Sequence, residues 1–586
     1  TYISEDEKSI EIYEQALRIL KPLGYKRYIV FALLRVGEHF YDRGDYQNAF
    51  DYYSEALQYS SNTNTNYEAY TLYNLSNSTL TLDKKKVLEY LNRALPIWEG
   101  NRNGEAYTMV SIGRYYFSEG QAREALDYYT RALPVMRDSG DSYGVGIILM
   151  NIGETYFAAG DKAKAVEYYN QALELHRAAK NRRDEARTLI RLGNVHQFSG
   201  ETEKVFLNFN EALKLYRAIG NRSGEAGAIF ALAKAERGRG NLAAARSLIE
   251  ENLRLIENLR AGIAAEELRS AYFASVRQYY EFYVDLLMSL HQARPSEGFD
   301  RLALEAAERG RARTLLELLA VSRVDLRQGV DKALIDRETD LQKKLDAKST
   351  ERLRMLAEPR AEKQAAAVEK EIEELTNDLQ MIKSRISSAS PRLAQLSQTN
   401  TLKTPEIQNL LDDETLLLEY ALGDERSFLW LVTTDGVKSF VLPKRAEIES
   451  SARRVYESLT ARNKKIKGET DRQAQSRFEK ADAEFQKAAR DLNRLLLAPV
   501  AALPLGGKRL LIVADGALQY IPFAALKVPN SEFRVPSIKS ETAEDQKPKT
   551  EDRYLIETNE IVNLPSASTL AILRRETSKR NPAPLS

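Results

Sequence analysis

The chain has 586 residues, too many for one hydrophobic core, so several domains or an extended array are expected. Lysine plus arginine number 85 against 84 acidic residues, a net charge of +1, which disfavours nucleic acid as a partner; the lack of an apolar run of about 18 residues disfavours the membrane. Cysteine is absent and histidine occurs four times, at His39, His176, His196 and His291, which excludes disulfides, thiolate metal sites and a cysteine nucleophile within these residues.

The first predicted element is an orphan helix over residues 11–20, which suggests an array that began upstream; the opening Thr1-Tyr2-Ile3-Ser4 likewise reads as cut from something longer. A repeat then dominates the first 262 residues. Gly37, Gly113, Gly153 and Gly193 anchor four good copies, the last three spaced 40 residues apart. Seven residues past each anchor lies another glycine, Gly44, Gly120, Gly160 and Gly200. Sixteen past comes an aromatic, Tyr53, Tyr129, Tyr169 and Phe209, and nineteen past an alanine, Ala56, Ala132, Ala172 and Ala212. Degenerate copies fit around 75–94 and 233–249. Small residues at the anchors let two antiparallel helices approach, aromatics fill the space between pairs, and the mid-repeat glycine ends the first helix. The period exceeds the usual 34, and the extra residues are expected in inter-repeat loops such as Ala179-Lys180-Asn181-Arg182-Arg183.

This pattern resembles the longer tetratricopeptide repeats. The resemblance implies an α-solenoid whose first helices line a groove for a protein or peptide segment. On the family's register the groove-facing sites are Tyr107, Arg114 and Phe117, then Met150, Glu154 and Phe157, then Arg187, Asn194 and Gln197. Aromatics with arginine and asparagine offer apolar area and hydrogen bonds to an extended backbone. His176 and His196 fall at positions that pack between helices. No second ligand stands at helical spacing from either, so no metal is expected.

Residues 263–325 read as packed helices continuing the solenoid, with Arg311 and Arg313 among Ala303, Ala306 and Ala307. Residues 326–390 read as an antiparallel helical hairpin about Pro359. Its second arm carries the seam Val368, Ile372, Leu375, Leu379, Ile382 and Ile386, and self-association through 365–386 as a coiled coil is the rival reading. A linker over 387–404 follows.

From residue 401 the composition changes. Strands are expected over 415–422, 427–434 and 437–442, with a tight turn at Asp435-Gly436. Helices follow over 447–462 and 476–497, then a buried strand over 508–514 and a polar, mobile stretch near 529–552. The chain resumes at 554–557 and 561–564, and strands alternating with helices argue for an α/β domain with a largely parallel sheet.

Ile512-Val513-Ala514-Asp515-Gly516, Ile521-Pro522-Phe523-Ala524-Ala525-Leu526 and Leu564-Pro565-Ser566-Ala567-Ser568 are similar to the opening half of a CHAT domain, a caspase- and separase-related peptidase fold. The resemblance spans about 402–573 and implies that 401–586 is the N-terminal half of that partial α/β domain. It also implies a parent whose catalytic histidine and cysteine lie beyond the Leu-Pro-Ser-Ala-Ser segment. No histidine follows His291 and no cysteine occurs, so this chain carries no catalytic residue of its own. Ser566 and Ser568 lack a histidine base, and Asp515-Gly516 reads as a structural turn. No Gly-rich phosphate loop is apparent, so no cofactor is expected. The sequence therefore describes a multidomain chain: the protein- or peptide-binding scaffold of a cytoplasmic CHAT-type cysteine peptidase. A stand-alone, non-catalytic adaptor that assembles protein partners is the alternative.

Overall fold

A computed structural model describes residues 5–42, 46–61, 65–79, 84–98, 100–261, 266–321, 331–356, single positions within 368–385, 402–463, 469–500, 503, 505–528, 553–568, 570, 571 and 574. The stretch 529–552, the bend at Pro359 and nearly all of the linker 387–404 lie outside them. The chain forms two compact units, residues 1–269 with 329–389 and residues 270–328 with 390–586.

The first unit is a solenoid of helices α1 (Glu5–Leu23), α2 (Lys26–Asp42), α3 (Tyr46–Ser60), α4 (Asn66–Thr79), α5 (Lys84–Ala94), α6 (Arg102–Ser118), α7 (Ala122–Asp138), α8 (Ser142–Ala158), α9 (Lys162–Ala178), α10 (Arg182–Phe198), α11 (Thr202–Ala218), α12 (Arg222–Gly238) and α13 (Leu242–Ala261). From α6 to α12 every helix has 17 residues and every connection three. The surplus over a shorter repeat therefore lies in the helices. Arg182 and Arg183, expected in a loop, instead open α10, because the Asn181 side chain caps that helix by accepting from Asp184 N at 3.2 Å. Asn101, Asp141, Asp161 and Asn221 cap other helices in the same way.

The periodic residues do what their sizes allow. Tyr53, Tyr129, Tyr169 and Phe209 are buried, each ring lying on the anchor glycine sixteen residues before it. The mid-repeat glycine ends the first helix because it takes the left-handed conformation: Gly120 has φ +75°, and Gln121 N then donates to Tyr116 O at 2.9 Å. His176 and His196 are buried between helices, as their register implies.

Burial holds the His176 imidazole below its ordinary 6.5, outweighing Asp184, which acts to raise it; Arg187 adds to the lowering and Glu185 opposes it. The unfolded chain thus binds this proton more readily than the folded one. The stability contributed by the neutral ring is present above pH 6.5 and is lost as pH falls through the lowered folded value. Urea unfolding of the solenoid at several pH values between 7.5 and 5 is expected to show a falling midpoint, and His176→Gln to flatten that fall. Parallel curves for the two proteins would contradict it.

Also in this unit, α16 (Lys332–Leu356) contributes Leu341 and Leu345 to a small cluster with Leu375, Leu379 and Ile382, and Lys348 Nζ pairs with Glu371 at 2.7 Å. Three of the six seam residues thus face α16.

The second unit holds a five-stranded sheet in the order β3-β2-β1-β4-β7. Its strands are β1 (Thr415–Ala421), β2 (Ser427–Val432), β3 (Val437–Leu442), β4 (Arg509–Val513) and β7 (Glu560–Leu564); β5 (Lys527–Val528) and β6 (Arg553–Tyr554) form a separate pair. The sheet is mixed rather than largely parallel. β1 runs parallel to β4, with Leu417 opposite Leu511, and β4 parallel to β7, whereas β1-β2 and β2-β3 are antiparallel through short turns. Alternation along β1 divides its two faces. Leu416, Leu418 and Tyr420 pack on helices Arg445–Leu459 and Asp471–Leu496 through Ile448, Val455, Ala488 and Leu492.

The opposite face receives α15 (Phe299–Val321), while α14 (Glu266–Ala293) meets Arg426 in the turn after β1; both fall in this unit from residue 270 on, whereas the sequence predicts that they continue the solenoid. The polar groups of these helices explain the difference. Trp430 Nε1 donates to Asp300 O at 3.0 Å, Arg426 pairs with Asp285 at 2.5 Å, and Thr404 N donates to Glu305 at 2.8 Å.

Candidate functional site

The nine groove positions do not behave alike. Arg114, Phe117 and Glu154 meet in one concavity of about 370 Å³, with Ser111, Tyr129 and Asn151 in its wall. Arg114 is exposed and Phe117 half-buried, so a cation and a ring edge face the opening. Asn151 carries a buried Nδ2 that has no hydrogen-bond partner among the described residues. Glu154 pairs with Arg191 at 2.7 Å, a part-exposed contact worth little on its own.

The other six lie outside this concavity. Tyr107 donates its hydroxyl to Asp141 at 2.8 Å; burial, then that carboxylate, holds its phenol well above its ordinary range. Met150, expected to face the groove, is a core residue at 6% exposure. Its sulfur accepts from Thr188 Oγ1 at 3.4 Å, which draws it inward between α8 and α10. Phe157 packs edge-on against Phe198, ring centres 5.4 Å apart. Arg187 is exposed and pairs with Asp184 at 3.0 Å, while Asn194 and Gln197 are half-buried. Asn151, next to Met150, is not legible in the sequence as a groove residue, because its importance lies in a missing partner, which no spacing reveals.

In the second unit the Leu-Pro-Ser-Ala-Ser segment is held by a carboxylate rather than poised for attack. Glu308 of α15 accepts from Ala567 N at 3.0 Å, from Ser568 N at 3.1 Å and from Ser568 Oγ at 3.0 Å. A carboxylate on the first amides of a helical turn satisfies orphan donors and opposes the turn's dipole. Arg311, one turn further on, donates to Glu419 at 3.1 Å and to Tyr420 O at 2.7 Å. Glu308 and Glu419 are both fully buried. Burial first, then the proximity of Glu308, pushes the Glu419 carboxyl well above its ordinary 4.5, with Arg311 opposing the rise.

Asp515 closes the end of β4 as a turn residue. It accepts from Leu422 N at 2.8 Å and Gly516 N at 2.9 Å, and pairs with Arg277 at 3.0 Å. These three partners account for both of its oxygens, in line with a structural role. Among the described residues no helix is long and apolar enough to cross a membrane.

Comparison with known proteins follows the same division. The tetratricopeptide repeat family matches residues 28–100 and 144–218, and the CHAT domain family matches residues 486–586. The CHAT match includes β4 and β7 but begins after β1, β2 and β3, later than the sequence reading placed it. None of the curated proteins matches the chain. Among solved structures, the apo form of RapI is 17% identical over 47% of this chain and 97% of its own, with a TM-score of 0.37. Aspartyl phosphate phosphatase F from Bacillus subtilis is 13% identical over 50% and 73%, at 0.38. BtubC from P. vanneervenii is 13% identical over 37% and 90%, at 0.32. Repeat spacing, solenoid helices, the sheet around the Leu-Pro-Ser-Ala-Ser segment and the two family matches agree: this chain is a tetratricopeptide-repeat protein with a CHAT domain at its C-terminal side.

Proposed function

We propose that this protein-interaction repeat scaffold serves a CHAT-type cysteine peptidase, with the solenoid holding a protein or peptide segment in the concavity at Arg114, Phe117 and Glu154. The observation that carries the binding half is the meeting of a cation, a carboxylate and a ring edge from α6 and α8 around an unpartnered Asn151 amide. Such a wall offers one donor to a peptide carbonyl and apolar area to a side chain. Charge reversal at both ends, R114E with E154R, is expected to abolish co-purification of the partner captured by the wild-type chain, at unchanged helicity. Retention of that partner by the variant overturns this placement.

The peptidase half is supported by the CHAT match. In that chemistry an imidazole keeps a cysteine as thiolate, which attacks a peptide carbonyl. The 586 residues contain no cysteine, so this chain supplies recognition and framework, not the nucleophile. The same observation favours the second reading, a non-catalytic adaptor. Reading the gene beyond the Ser586 codon separates them: an in-frame histidine and then a cysteine supports the peptidase, and an immediate stop supports the adaptor.

A further inference from the structure

A basic side chain recurs in the solenoid as a staple across three successive helices. Arg177 of α9 pairs with Glu185 of α10 and Glu211 of α11, both at 2.9 Å. Forty residues on, Arg217 pairs with Glu225 and Glu251, both at 2.8 Å. Lys21 and Glu55, at the same 34-residue separation as Arg177 and Glu211, meet at 2.6 Å.

One repeat earlier the staple is broken. Arg137 of α7 occupies the arginine position, but its two acidic positions hold Val145 and Gln171. Arg137 is exposed and makes no ion pair or side-chain hydrogen bond with any described residue. Gln171 donates its amide to Glu167 instead, at 3.3 Å. At this place, between α7, α8 and α9, lies a pocket of about 360 Å³. Arg137 stands at its side, with Met136, Val145, Leu149 and Leu175 as apolar wall. Glu174 also lines it, beyond ion-pair distance of Arg137. The pocket shares no residue with the concavity at Arg114 and Glu154.

We infer that this pocket is a second docking point of the solenoid, which takes an acidic side chain of a partner protein, flanked by an apolar residue, in place of the missing glutamates. The two following repeats show the chemistry of the occupant, because in each the same arginine is met by carboxylates. Replacement of the first glutamate by Val145 makes the floor apolar, which fits an apolar neighbour beside the acid. The chain's own repeats thus supply the charge complementarity that a partner reproduces.

The test uses the full chain and a fluorescein-labelled peptide of alternating leucine and glutamate, read by fluorescence anisotropy, with a leucine–glutamine peptide as control. Wild type is expected to bind the glutamate peptide and not the glutamine one. Arg137→Gln is expected to weaken binding on the order of tenfold. Gln171→Glu is expected to weaken it similarly, because an internal carboxylate then occupies Arg137 as Glu211 occupies Arg177. Equal binding of the two peptides, or affinity unchanged by Gln171→Glu, overturns the inference. So does binding lost on Arg114→Ala but kept on Arg137→Gln, since the peptide then lies in the groove.

Discussion

Replacing Arg311 with methionine is expected to destabilise the C-terminal unit by about 3–5 kcal/mol, among the largest effects of any single change in the molecule. Among the described residues the guanidinium is the one cation paired with two fully buried carboxyl groups, 3.1 Å from Glu419 and 3.9 Å from Glu308. Methionine keeps much of the volume but removes the counter-charge and the donor to Tyr420 O. Glu308 then keeps the two amides and the hydroxyl at residues 567 and 568 but, among the described residues, no cation. Loss of β1 from α15 and loosening of the Leu-Pro-Ser-Ala-Ser segment follow together. Of the two tryptophans, Trp430 lies in β2, so a Trp98→Phe background makes the fluorescence transition report this unit alone. An unchanged Trp430 transition in Arg311→Met would show that the buried carboxyls need no cation.

The companion change separates charge from packing. Burial and the neighbouring Glu308 favour the neutral carboxyl of Glu419, which glutamine imitates, so Glu419→Gln is expected to cost under about 1 kcal/mol. The sign of the pH dependence follows from the raised carboxyl. The folded chain binds this proton more readily than the unfolded one, so the associated stability is complete below pH 4.5 and is lost as pH rises toward the elevated folded value. Glu419→Gln removes that loss, and the variant should therefore gain on wild type as pH is raised. A variant that tracks wild type across the whole range would mean that Glu419 ionises freely where it stands.

The two halves of the chain differ in how far their sequence discloses them, and contact range is the reason. In the solenoid the informative partners are sixteen residues apart and the rule is stated four times, so the glycine–aromatic pairs could be read directly. What that rule left open was local: whether Arg182 sits in a loop or a helix depends on one Asn181 cap, and whether Met150 faces outward depends on Thr188 in the next repeat. In the second unit the deciding contacts are remote. Arg311 meets Glu419 and Tyr420 across 108 and 109 positions, and Glu308 meets Ala567 across 259. No spacing connects such residues. The sequence still carried a signal for them: charges at Glu308 and Arg311 on an alanine-rich helical face, and Glu419 inside an otherwise apolar strand. A charge in such a place is tolerated only when paired, so each of these residues asks for the others. The groove is intermediate, because helical register brings Arg114, Phe117 and Glu154 together, while the unpartnered Asn151 amide depends on the packing of α6 against α8.

Phe209→Ala is expected to cost the solenoid about 3–5 kcal/mol, and its more telling consequence is a reversal of sign at Gly193. The ring is fully buried, and a Cβ built on Gly193 would stand 2.3 Å from its Cε1. In wild type, Gly193→Ala therefore forces an enclosed aromatic to move, a strain of about 1–3 kcal/mol that exceeds or cancels the roughly 1 kcal/mol of helix propensity gained. With Phe209→Ala in place the obstruction is gone, and Gly193→Ala should become neutral or stabilising by up to about 1 kcal/mol. The four urea-unfolding curves of this cycle give a coupling on the order of 1–2 kcal/mol. Gly153 grades the same effect, since its Cβ would meet Tyr169 at the milder 2.8 Å and the cost of Gly153→Ala should be smaller. Neighbouring repeats lend each other most of their stability, so the loss at Phe209 should also uncouple α10 and α11 from their neighbours and broaden the transition. Strictly additive costs at Gly193 and Phe209 would show that the glycine is not there to receive the ring, and the repeat rule that made the fold readable would need another physical basis.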